Sequence, residues 1–274
     1  MNRKKLVIIL PIIMVFLLSC ELLGGKATEE PTQVVIEVPT LAPATLPPPP
    51  TQKPTEEPTE EPTLALPTLE PTPEGFDATT ASWEPFVVAG DKTKDFWKQS
   101  GDKILFEMPS PETYAYAFAE DVNLGDVEVK VVAKTKDSFQ NGVAVVCRQS
   151  DEGWYELRVH TVGMYAGSYS LYRYSAQMAD ERKNPYVNVM KDLDRVFTND
   201  LNGGSNNTNT IVFACLGNQL QVFINGKQQF RPPTKDVIFT DDVLTQGSVG
   251  FGAMSFGKGK VNVEIDLTQM SATE

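Results

Sequence analysis

Fourteen of the twenty prolines fall before residue 76, and this asymmetry divides the chain into a part that cannot build a core and a part that can. Proline locks φ and has no backbone N–H, so a segment with one every few positions cannot complete the ladders of helices or sheets. Between Ala27 and Gly75 there are nine acidic residues against one lysine, the repeat Glu-Glu-Pro-Thr at 29–32, 56–59 and 60–63, and four consecutive prolines at 47–50. This composition predicts a solvated, self-repelling, disordered linker of polyproline-like character, reaching up to about 150 Å at roughly 3.1 Å per residue. A proline-rich recognition motif is the alternative, but the prolines are irregularly spaced. Folding is left to residues 76–274, a length sufficient for one well-buried core.

The first residues read as an address. Met1 to Lys5 are basic, and Leu6 to Leu18 form an apolar run of 13 residues containing Pro11. A membrane-spanning helix needs about 20 apolar residues, so this run is too short and reads as the core of a signal peptide. The next step, Leu17-Leu18-Ser19-Cys20, resembles the lipobox of bacterial lipoproteins, in which the cysteine becomes the new N-terminus and carries a diacylglycerol. The resemblance implies a signal peptide over 1–19, lipidation at Cys20, a linker over 20–75, and an extracytoplasmic protein anchored to the bacterial membrane. Several acyl chains on one residue exceed the weak hold of a single chain.

Charge and residue counts remove other classes. A formal charge of −12 argues against a nucleic-acid partner, since neutralising phosphates needs a basic surface. One histidine, His160, and three cysteines exclude most zinc sites. With Cys20 assigned to lipid, Cys147 and Cys215 remain, each within a predicted strand of an exported chain, and a disulfide between them is the economical reading. Two buried free thiols are the alternative.

From Phe76 onward the pattern changes to short alternating segments punctuated by Gly, Asn and Asp, with no sustained helical spacing. Val127, Val129, Val131 and Ala133 alternate with polar partners, as do Leu220, Val222 and Ile224, and Val261, Val263, Ile265 and Leu267. Further strands are predicted at 103–107, 114–119, 142–149, 154–161, 169–175, 210–215, 228–231 and 248–254. Eleven short strands in one domain mean an all-β fold, an antiparallel sandwich or barrel. Asn225-Gly226 is a type I′ hairpin signal, because both central residues of that turn need positive φ. Residues 184–204 read as a surface excursion with one short strand near 193–197.

Gly142-Val-Ala-Val-Val-Cys-Arg148, Gly153-Trp-Tyr-Glu-Leu-Arg-Val159, Cys215-Leu-Gly-Asn218 leading to Phe223-Ile-Asn-Gly226, and Gly247-Ser-Val-Gly-Phe251 together resemble a concanavalin A-like (laminin G-like) jelly roll. In particular they are similar to bacterial domains of the 3-keto-disaccharide hydrolase-like type. The resemblance implies a jelly-roll β-sandwich over 76–274 that binds carbohydrate or another surface ligand. It equally allows a glycoside hydrolase, or a non-catalytic structural or adhesion module, because fold does not fix activity.

The hydrolase reading directs attention to Glu264-Ile-Asp266, which resembles the start of a Glu-x-Asp-x-x-Glu glycosidase strand. The segment continues Leu267-Thr268-Gln269, so the third acid is missing, and no catalytic residue is assigned. Binding has broader support. Alternation places Tyr155, Leu157 and Val159 on one face and Trp154, Glu156, Arg158 and His160 on the other. If the next strand continues the sheet, Tyr172 and Tyr174 share that outer face, and Arg148, opposite in parity to Cys147, joins it. Aromatic planes beside Arg and Glu suit a sugar; ordinary sheet residues are the equal alternative. No cofactor is expected. Calcium, which laminin G-like relatives often bind, stays open at Asp241-Asp242 and at Asp192 with Asp194, although neither has an ordered ligand spacing.

Overall fold

The computed structural model describes residues 76–274 except 93–95, 110, 231 and 233–237, and the side chain of Ile238 is also not described. The signal peptide, Cys20 and the Pro/Thr/Glu linker lie outside the described residues. Sixteen strands and one helix succeed one another in chain order among those residues: β1 (Trp83–Ala89), β2 (Trp97–Ser100), β3 (Lys103–Met108), β4 (Thr113–Ala119), β5 (Val127–Lys136), β6 (Asn141–Ser150), β7 (Gly153–His160) and β8 (Ser168–Ser175), then α1 (Ala176–Asp180). They continue with β9 (Tyr186–Asn188), β10 (Val196–Phe197), β11 (Thr208–Leu216), β12 (Gln219–Ile224), β13 (Lys227–Gln228), β14 (Ile238–Thr240), β15 (Ser248–Ser255) and β16 (Val261–Thr273).

Two antiparallel sheets pack face to face as a jelly-roll sandwich. The first runs β1-β4-β15-β6-β7-β8-β10, with β9 on β8; the second runs β13-β12-β11-β5-β16-β3-β2, with β14 on β12. The chain crosses between sheets at β1 to β2, β3 to β4, β4 to β5, β5 to β6, β10 to β11, β14 to β15 and β15 to β16, which interleaves distant segments. The all-β antiparallel class is therefore present, and ten of the eleven predicted strands coincide with observed ones; in place of the strand expected at 228–231 there is the two-residue β13, which among the described residues overlaps it only at Gln228. Asn225 and Gly226 join β12 to β13 with φ of 50° and 80°, the left-handed pair that a type I′ turn requires.

The inner faces supply the core. Val127, Val129 and Val131 of β5 and Ile211 and Phe213 of β11 meet Val143, Val145, Leu157, Tyr169 and Leu171 of the other sheet. Cys147 of β6 and Cys215 of β11 are disulfide-bonded, with Cα atoms 6.7 Å apart. The bond staples one sheet to the other through the core, and both cysteines are fully buried.

Four strands escape local pattern. β1 contains Pro85, which normally argues against a strand, but β1 is an edge strand, where a missing N–H costs no ladder bond. β2, β9 and β14 are only three or four residues long, too short for alternation to register.

Candidate functional site

The outer face of the first sheet is not a simple solvated surface. It carries a second apolar cluster of Tyr116, Phe118, Ala144, Val146, Trp154, Tyr174 and Met254. β4 builds it from the sequence Thr-Tyr-Ala-Tyr-Ala-Phe-Ala, whose small residues Ala115, Ala117 and Ala119 face the sandwich core while Tyr114, Tyr116 and Phe118 face out. The neighbouring strand makes room. Gly252 lies opposite Tyr116 and Gly250 opposite Phe118, and a Cβ at either glycine would stand 2.6 Å from the facing ring. The rings can therefore lie across β15 toward β7.

That face must be concave. β1 and β7 are four strand spacings apart, about 19 Å in a flat sheet, yet the rings of Phe86 and Trp154 meet with centroids 5.7 Å apart. Trp154 stacks on Tyr174 at 3.8 Å and 7° and contacts Phe118 at 5.1 Å and Tyr116 at 5.2 Å. Side chains from edges and centre converge on one trough.

Five of the six predicted ligand-binding residues share this face. Register pairs Trp154 with Tyr174 and Glu156 with Tyr172 across β7 and β8, as alternation predicts. Burial departs from the sequence expectation of an open platform: Trp154 is only 2% exposed, because Phe86, Phe118 and Tyr174 close over it, and Ala176 and Ala179 of α1 pack on the same cluster. Tyr172 is half-buried and remains accessible.

Arg148 is the sixth, and its predicted outward placement is corrected. A bulge between Cys147 and Ser150 puts Arg148 at φ 53°, which breaks the alternation. Its guanidinium turns to the end of the sandwich, donating to the carbonyls of Gly125, Cys215, Gly217 and Leu244 and pairing with Asp126 at 3.1 Å. Only 1% of it is exposed. Arg148 ties together loop backbone from both sheets.

Glu156 lies at the floor of the trough and is fully buried. Its Oε2 accepts from the Tyr116 hydroxyl at 2.8 Å and from Trp154 Nε1 at 3.3 Å, and its Oε1 accepts from Arg158 Nε at 2.7 Å. Since Tyr116 spends its proton on Glu156, the 2.8 Å bond between hydroxyls has Tyr186 as donor. The result is a chain from Tyr186 through Tyr116 to Glu156. Burial, then the charge of Glu156, holds the Tyr116 hydroxyl well above its ordinary pKa. Arg158 keeps its proton: burial disfavours the charge, but Glu156, Tyr116 and Tyr186 together outweigh that and raise the guanidinium further.

Arg158 sits in an aromatic box. Its guanidinium carbon is 4.7 Å from the ring centroids of both Tyr172 and Tyr186, with Tyr114 at 5.3 Å and Phe256 at 5.8 Å. The stem crosses Gly142, where a Cβ would stand 3.3 Å from its Cγ. Beside the box opens a cleft of about 510 Å³ lined by Tyr114, Arg158, Tyr172, Tyr174 and Tyr186 among others. Sequence reasoning missed Tyr114, Tyr116 and Tyr186. The aromatic alternation of β4 was a usable signal for the first two; Tyr186 reaches the site only because the excursion after α1 folds back on β8.

The other sequence candidates lie elsewhere. Glu264 projects from the outer side of the second sheet, across the sandwich from the cleft, and pairs with Lys103 at 2.8 Å and with Lys136. Asp266 bonds Thr268 and Gln269. Asp241 accepts from the Tyr155 hydroxyl at 2.6 Å and faces Arg173. Among the described residues no group of three or more His, Cys, Asp or Glu is arranged to hold a metal.

No family model matches the sequence, and no curated protein does. Solved structures that resemble it include a carbohydrate binding module, CBM66, from Bacillus subtilis, with a TM-score of 0.47 at 9% identity, covering 69% of this chain and 95% of that one. The beta-glucanase of Bacillus licheniformis has a TM-score of 0.45 at 12% identity, covering 71% and 93%. The VIP36 exoplasmic/lumenal domain in its Ca2+/Man3GlcNAc-bound form has 0.46 at 10% identity, covering 70% and 82%. The fold assignment rests on the strand order and register described above.

Proposed function

We propose that the head is a carbohydrate-binding module that uses the concave face of the first sheet, in an exported protein held to the membrane by lipid on Cys20. The observation that carries the first part is the cleft itself, in which half-buried Tyr114, Tyr172 and Tyr186 surround the guanidinium of Arg158. Aromatic faces stack on the C–H faces of sugar rings, and a fixed guanidinium offers strong donors to sugar oxygens. The resemblance of Leu17 to Cys20 to a lipobox supports the anchor, and the Pro/Thr/Glu composition of the following segment supports a spacer between membrane and head. A hydrolase would need two carboxyls about 5 to 9 Å apart at the sugar; among the described residues lining this cleft there is none, so binding is favoured over hydrolysis.

A glycan array probed with the full chain, followed by calorimetry on the best ligand, tests the reading. Tyr172→Ala is the informative variant, because the residue is half-buried and its truncation opens no deep cavity. Affinity should fall by about 1 to 3 kcal/mol, as when an interface aromatic is truncated. Unchanged affinity in Tyr172→Ala would place the ligand outside this cleft.

A further inference from the structure

Arg158 has a capacity that the fold does not use. Its side chain is only 7% exposed, its Nε is spent on Glu156, and its buried Nη2 has no hydrogen-bond partner. The rings that enclose it are poor acceptors, so the box stabilises the charge without satisfying the donor. The cleft beside it has the same bias. Lys92 and Lys183 line it with Arg158, and no carboxylate does so among its described lining residues. Lys183 pairs at 2.6 Å with Glu181, but that pair is solvent-exposed and weakly held.

Farther along the same face, His160 is held neutral with its pKa down at about 3, first by burial and then by Arg158 and Arg195. Arg195 stacks on Tyr165 at 3.5 Å, and its Nη1 also lacks a partner. This basic strip belongs to a chain whose formal charge is −12, so it stands against the global charge instead of following it.

A neutral sugar presents hydroxyl donors as well as acceptors, whereas Arg and Lys can only donate. The structure assigns this cleft to acidic saccharides: a carboxylate or sulfate on the sugar meets Arg158 Nη2, Lys92 and Lys183 flank it, and the rings of Tyr172 and Tyr186 form the apolar wall. This inference rests on the carbohydrate-binding reading and adds the charge class of the ligand.

The test is calorimetry of the full chain at physiological salt against polygalacturonate and alginate oligomers, their carboxyl-reduced counterparts, and dextran sulfate beside dextran. At least one anionic ligand should bind ten-fold or more tighter than its neutral counterpart, and whether the carboxylated or the sulfated pair shows this identifies the anionic group. Because Arg158→Gln removes half of a buried ion pair and can unfold the head, Lys92→Gln/Lys183→Gln provides the second variant. Both lysines are exposed, so the double variant should melt like the parent and lose at least three-fold in affinity for the acidic ligand. Equal affinity for acidic and neutral members of each pair, or no loss in the double variant, overturns the inference and leaves carbohydrate binding standing. Binding to none of these polymers but to a neutral glycan on an array also overturns it, and binding to no glycan at all removes the underlying reading as well.

Discussion

Replacing Trp154 with Ala should cost the head much of its stability. The indole is 2% exposed, lies flat on Tyr174 at 3.8 Å, and touches Phe86, Phe118 and Tyr116. Burying an aromatic of this size and then truncating it to Ala typically costs about 3–5 kcal/mol, from lost transfer energy plus the cavity left behind. A further loss comes from Glu156, whose Oε2 would keep only Tyr116 as a donor after Nε1 is removed. For a domain of this size each kcal/mol lowers the melting temperature by about 2–4 °C, so the expected drop is about 6–20 °C. Differential scanning calorimetry on parent and variant measures it directly, with urea titration to check that the slope of unfolding is unchanged. A drop below about 3 °C would show that Phe86, Phe118 and Tyr174 do not close over the indole in solution, and that alternation alone described Trp154 correctly.

Arg148→Ala should destabilise the head by about 3–5 kcal/mol in urea titration, since four backbone carbonyls and Asp126 lose one shared buried cation; a change under 1 kcal/mol would refute that role. Reducing the Cys147–Cys215 bond should lower stability by about 4 kcal/mol in the loop-entropy model for a separation of 68 residues. An unchanged urea midpoint in dithiothreitol would contradict it. His160 is buried neutral, with its pKa lowered from 6.5 to about 3, so the unfolded chain takes up its proton first on acidification. Its contribution is full above about pH 6.5 and falls as the pH drops toward 3, and His160→Gln should flatten that slope in pH-dependent melting curves. Cys20→Ala should abolish both labelling by radioactive palmitate and membrane retention in cells; persistent labelling would remove the lipobox reading.

Alternation along the chain determined most of the features set by local geometry. Side chains on a strand point to opposite faces with period two whatever surrounds them, so the parity of Val127, Leu157 and Val263 identified core positions, and that of Trp154, Glu156, Arg158, Tyr172 and Tyr174 placed them on one outer face. Two cysteines on separate strands of a head predicted to be exported were enough to suggest their pairing. Parity failed at Arg148 because a bulge is a local backbone event with no composition of its own, and the residue at φ 53° turned from the outer face to the end of the sandwich.

What covers a face is decided by distant segments. The outer side of β7 became a lined trough only because β1, β4 and the excursion around β9 bring Phe86, Tyr116 and Tyr186 to it from well outside the strand, and because Gly250 and Gly252 leave space for rings to cross the sheet. Whether an outward side chain meets water or other side chains depends on sheet curvature and strand order, which are properties of the assembled sandwich. The sequence alone therefore established the class of fold and the residues of one face, and tertiary structure alone decided that Trp154 is buried, that Arg148 joins the two sheets, and that Arg158 carries an unspent donor beside an aromatic cleft.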